Sequence, residues 1–117
     1  MRIVSRYIQS LQETINYKIG LNANDNFDLI DSSNNKDIWF HLSDTSSGHV
    51  VANIPLNSKY NKKQFCQIIK QGALVCKEHS KFKSHSNIEI VYTSIDNIVK
   101  TDVIGQVKLL NFKLIKI

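Results

Sequence analysis

The chain has 117 residues, 42% of them apolar, a single proline and a formal net charge of +5. That is enough sequence for one domain with its own core and too apolar a composition for a disordered tail. No apolar run approaches the roughly 20 residues of a membrane span, and MRIVSRYIQS lacks the continuous apolar block of a secretory signal.

Ile3–Ile8 and Thr14–Leu21 alternate polar with apolar residues and predict two strands joined through SLQE. NANDNFDLIDSS reads as a loop with a short helical turn, capped by Asn24 or Asp25, with Phe27 and Ile30 facing inward. Asp37–Leu42 and Gly48–Ile54 predict two more strands, the second halted at Pro55. Residues 61–82 carry Phe65, Ile68, Ile69, Gly72, Val75, Cys76 and His79 at spacings of three and four, the stripe of one long helix. Its other face holds Lys63, Lys70, Lys77 and Lys81. Asn87–Thr93 is an alternating strand, and Gln106–Leu110 with Phe112–Ile117 is expected to close the chain as a terminal hairpin. The sum is an α+β domain over residues 1–117. Six or seven short strands form a mostly antiparallel sheet, packed by one long helix and one short helical turn.

Charge is unevenly spread. Residues 1–58 carry four basic and six acidic side chains, and residues 59–117 carry eleven and four. A basic half suggests a polyanion-facing surface, although lysines also serve solubility. Cys66 and Cys76 lie ten residues apart on the predicted helix, about 15 Å of rise, too far to bridge within it. Free thiols fit a reducing compartment, so the cytoplasm is the expected location.

The chemistry-bearing stretch is DIWFHLSDTSSGHV, Asp37 to Val50. Strand alternation puts Ile38, Phe40 and Leu42 on a core face and Asp37, Trp39 and His41 on the other. An in-register hairpin returns His49 beside His41. An indole is a stacking platform for a base, imidazoles and hydroxyls bond phosphate, sugar or base edges, and Gly48 with Ser47 lets a ligand approach the backbone. The plainer alternative is a helix covering Trp39 and two structural histidines. Asp37, His41 and Ser46 or Ser47 make a poor hydrolytic triad without a Gly-x-Ser-x-Gly elbow. His41, His49 and Asp44 match no metal-site spacing, and no phosphate loop is present. No catalytic residue, metal or cofactor is therefore expected.

These residues resemble the NFACT-R domain, the RNA-binding module of proteins that act on stalled large ribosomal subunits in translation quality control. Gly20 is followed by Asn26, Asp28, Leu29 and Ile30, and then by Asp37, Trp39, Phe40 and His41. His49-Val50, the Ser80-Lys81-x-Lys83 segment, Val91-Tyr92-Thr93, Lys100 and Gly105 follow in the family's order. The family's other domains have no counterpart here, so a standalone domain is expected. The resemblance implies a nucleic-acid-binding module that takes structured RNA, tRNA or rRNA, on the ribosome. Lys77, Lys81, Lys83 and Lys100 would neutralise phosphates, and Trp39, His41, Ser47, Gly48 and His49 would line a recess. Two rival readings share the same surface: a protein-interaction adaptor and a DNA-binding domain.

Overall fold

Alternation governs the first two segments of the computed structural model, which describes residues 1–117. Strands β1 (Arg2–Ile8) and β2 (Glu13–Ile19) pair antiparallel from Arg2↔Ile19 to Ile8↔Glu13. The turn has no glycine, and Gln12 takes the left-handed position at φ 53. Helix α1 (Ala23–Asp31) runs nine residues, longer than the turn expected. Its cap is Asn22, whose side chain accepts the Asp25 N–H at 2.8 Å, and not Asn24 or Asp25. Asp25 instead accepts the Leu21 N–H at 3.0 Å and so ties the incoming chain to the first turn. Leu29 and Ile30 are buried as an amphipathic helix requires, while Phe27 is half-buried.

Strands β3 (Ile38–Leu42) and β4 (Val50–Ala52) form the central hairpin, with Phe40 opposite Val50. Helix α2 (Lys62–Glu78) starts at a capping box in which Asn61 and Gln64 bond each other's backbone N–H. It ends four residues before the expected limit, at Glu78. The cause is local: the Ser80 hydroxyl donates to the Lys77 carbonyl at 2.7 Å and accepts the Phe82 N–H at 3.1 Å. That hydroxyl offers the backbone an alternative to another helical turn. Lys81 and Lys83 consequently sit on a turn beyond the helix.

The chain end departs from the expected terminal hairpin. Strand β7 (Val107–Leu109) pairs with β6 (Ile98–Lys100), a three-residue strand too short to show a period. Strand β8 (Lys113–Lys116) pairs instead with β5 (Glu89–Ser94), which sets Ile115 opposite Ile90. The main sheet has the order β1-β2-β4-β3-β5-β8 with every pairing antiparallel, and β6-β7 form a second, two-stranded sheet. Eight strands and two helices make the α+β fold.

One face of the sheet carries Tyr17, Phe40, Val50, Ala52 and Ile90 and packs against Ile68, Ala73, Val75 and Cys76 of α2. The other face carries Trp39, Val51 and Val91 beneath Leu29 of α1 and Ile98, Val107 and Leu109 of the β6-β7 hairpin. Both cysteines are free, Cys76 buried and Cys66 exposed. No helix is long and apolar enough to cross a membrane.

Gly72 is where α2 meets the sheet. A Cβ there would run into the Phe40 ring, and Phe40 is fully buried. Gly72→Ala is therefore expected to destabilise by about 1–3 kcal/mol through overpacking, against the gain in helix propensity. Urea unfolding checks it: a stabilised variant would mean that α2 rides higher on the sheet.

Candidate functional site

The DIWFHLSDTSSGHV segment divides into a structural and a concave part. Asp37 is 2% exposed. Its carboxylate accepts the N–H groups of Ile54 at 2.8 Å and Asn34 at 3.0 Å, and its carbonyl accepts the Ile95 N–H at 2.9 Å. It clasps three connections together and turns away from the histidines' work. Trp39 and His41 lie parallel, 5.6 Å between centroids at 3°. His49 stands edge-on to both, 5.1 Å from Trp39 at 84° and 5.2 Å from His41 at 81°. The register Phe40↔Val50 brings the two histidines together as the hairpin argument requires. Trp39 and His49 are buried, at 2% and 3% exposed, and His41 is half-buried.

These three rings line an open recess of about 750 Å³. The β3-β4 connection contributes Ser43, Ser46, Ser47 and Gly48; the start of α1 contributes Asn22, Ala23 and Asn26. Cys76 and His79 line it from the end of α2, and Ile104, Gly105 and Gln106 from the tip of the β6-β7 hairpin. Asn26 braces it from below, its side-chain oxygen accepting the His49 N–H at 3.1 Å. Gly48 is required by close approach: a Cβ there would meet the Gly20 carbonyl.

No Asp, Glu, Lys or Arg lines the recess. Burial, reinforced by neighbouring His41, pushes His49 down to about 3. Burial also lowers His41, partly offset by the Leu42 and Ser47 carbonyls. Both imidazoles are neutral at pH 7. His41 Nδ1 lies 2.6 Å from the Leu42 carbonyl, which can only accept, so that nitrogen carries the proton. Burial pushes the Cys76 thiol up to about 12, which keeps it from acting as a thiolate. The Ser47 hydroxyl accepts the Leu42 N–H at 3.2 Å and donates to the Gly48 carbonyl at 3.3 Å, so it is not poised on His41. Asp37, His41 and Ser47 do not assemble into a relay, and no three potential ligands gather around a metal position. Two polar atoms are left without a partner in the buried rings: Trp39 Nε1 and His49 Nδ1.

The lysines occupy two places. Lys77 reaches a main-chain oxygen of Ile117 at 3.4 Å, Lys81 lies 5.5 Å from the Phe82 ring, and Lys83 is exposed. Lys81 and Lys83 are paired with no carboxylate, while Lys77 is already engaged by that oxygen of the last residue. They flank His79, which reaches the recess. Lys100 is different. It pairs with Asp31 at 2.6 Å and stands 5.2 Å over the Phe27 ring, so its charge is already partly compensated. Sequence reasoning missed the contributions of Asn22, Asn26 and Gln106. Only Asn26 left a signal, as a polar residue within the family pattern.

The family described as the NFACT protein RNA binding domain matches residues 5–109. A curated Dictyostelium discoideum protein, the coiled-coil domain-containing protein 25 homolog, is 33% identical over 90 residues, covering 71% of this chain and 40% of that protein. The solved C-terminal part of the fibronectin/fibrinogen-binding protein from Streptococcus suis superposes with a TM-score of 0.77 at 18% identity. That superposition covers 97% of this chain and 44% of that one, and it bears on the fold alone. The chain thus spans less than half the length of either relative.

Proposed function

Since the chain belongs to the NFACT RNA-binding domain family, we propose that this nucleic-acid-binding module takes structured RNA, tRNA or rRNA on the ribosome, in the cytoplasm. The observation that carries the reading is the exposed pair Lys81 and Lys83, free of carboxylates, just past the end of a helix whose Cys76 and its cap His79 line an aromatic recess without Lys, Arg, Asp or Glu. Phosphates would meet the lysines, and Trp39, His41, Ser47, Gly48 and His49 would shape the part that receives the rest of a nucleotide. Lys100 would contribute only by exchanging Asp31 for a phosphate.

The test is salt dependence. Each phosphate contact on a single strand contributes about −0.7 to the log–log slope of affinity against salt. Replacing Lys81 and Lys83 together should weaken all sequences alike and flatten the slope by roughly one to two contacts' worth. A filter-binding or anisotropy series at several salt concentrations measures it. An unchanged slope would remove these lysines from the interface. Trp39→Ala is a poor companion variant, because deleting a buried indole costs about 3–5 kcal/mol of stability by itself. Trp39→Phe keeps the ring.

A further inference from the structure

We infer that the recess takes one uncharged, unpaired nucleobase, extruded from a strand whose phosphates stay outside on the lysines. The inference rests on the nucleic-acid reading above and adds to it what enters the recess and what is refused. The chain carries a net charge of +5, yet none of that charge lines this concavity. A phosphate placed there would lose its hydration and find no counter-charge, which is costly for any ion. Buried His49 and half-buried His41, both shifted away from the charged form, cannot stand in for a cation beside the indole. A planar neutral group meets none of these obstacles. The recess, at about 750 Å³, falls among small-molecule sites.

The second observation is the pair of stranded atoms. Apart from Arg6 Nε, the buried side-chain nitrogens without a partner are Trp39 Nε1 and His49 Nδ1, and both belong to rings that line this recess. A native structure rarely leaves such groups unpaired, and a functional partner is one of the few explanations. The indole N–H can only donate, so the occupant must bring an acceptor, as the carbonyl or ring nitrogen of a base does. The third is ring geometry. Trp39 and His41 form a parallel pair of which His41 is the half-exposed member. The accessible stacking surface is therefore the imidazole, with the indole behind it. A base inside a duplex has its edge occupied and its faces stacked, so only a loop, bulge or end supplies one without an unpairing cost.

The experiment titrates adenosine, guanosine, cytidine, uridine and inorganic phosphate separately into the ¹⁵N-labelled full chain. It follows the single indole N–H resonance, which belongs to Trp39. The expected result is a saturable shift with at least one nucleoside, insensitive to salt, and none with phosphate. Single-stranded RNA should move the indole, whereas blunt duplex RNA should bind through the lysines and leave it in place. Trp39→Phe, followed by calorimetry, should weaken the nucleoside about fivefold, the worth of one hydrogen bond, with the RNA salt slope unchanged. If no nucleoside moves the indole at millimolar concentration while RNA still binds, this inference falls and the RNA reading stands. Absence of RNA binding at any salt overturns both.

Discussion

Asp37→Ala is expected to remove about 3–5 kcal/mol of folding stability, as much as deleting the buried Trp39 indole would. The Asp37 carboxylate satisfies the Ile54 and Asn34 amides from a site that is 2% exposed. Truncation leaves the buried Ile54 donor without water or protein to accept it, and a lost bond to a charged acceptor is worth about 1.5–3 kcal/mol. Asp37→Asn keeps one acceptor oxygen and should lose less than half as much. Urea unfolding of the two variants separates a clasp from a catalytic group. If Asp37→Ala unfolds at the same urea concentration as the parent, the Ile54 and Asn34 connections are held by something other than the carboxylate. Neither variant, once folded, should alter the salt slope of RNA binding.

Acid should unfold the domain through His49 well before its carboxylates are all protonated. The folded-state value is about 3 because the ring is buried beside another imidazole, whereas an unfolded histidine titrates near 6.5. Between those values the unfolded chain binds a proton that the folded chain refuses. Stability is therefore complete above about pH 6.5 and falls as pH drops toward 3. One pH unit within that window is worth roughly 1.4 kcal/mol, so pH 7.5 to 5 should cost about 2 kcal/mol from this residue. His41 is lowered too and acts in the same direction. Denaturation of the parent and His49→Gln at both pH values isolates the contribution, since the glutamine does not titrate. Equal losses in the two proteins would mean that His49 is hydrated and its environment open.

Periodicity made most of the main sheet legible. Four alternating segments and one helical stripe correspond to β1, β2, β3, β5 and α2, and the structure supplies the β3-β4 register that sets His49 beside His41. The site was legible only in part. Trp39 belongs to the predicted face, but its burial depends on the β6-β7 hairpin, whose three-residue strands carry no pattern. A two-residue alternation says which side of a sheet a residue takes and nothing about what lies above it. Asn26 and Asp37 were readable as polar residues, yet their partners, His49 and Ile54, are brought near only by the tertiary arrangement. The end of α2 turned on the Ser80 hydroxyl, whose bonds override a stripe that continues through His79 and Phe82.

The sheet's two borders have a consequence for how copies of the domain behave in a crowd. Strands β1 and β8 lie at its outer margins, with Arg2 free on one, where Arg6 is paired with Glu78, and Lys113 and Lys116 on the other. Any join of margin to margin, whether like with like or one with the other, sets cations against cations along the new ladder. Ribbon growth is thereby discouraged in dilute salt. A polyanion lying along the margins would neutralise that repulsion, so copies are expected to stay dispersed alone and to gather closely only on a shared nucleic-acid strand.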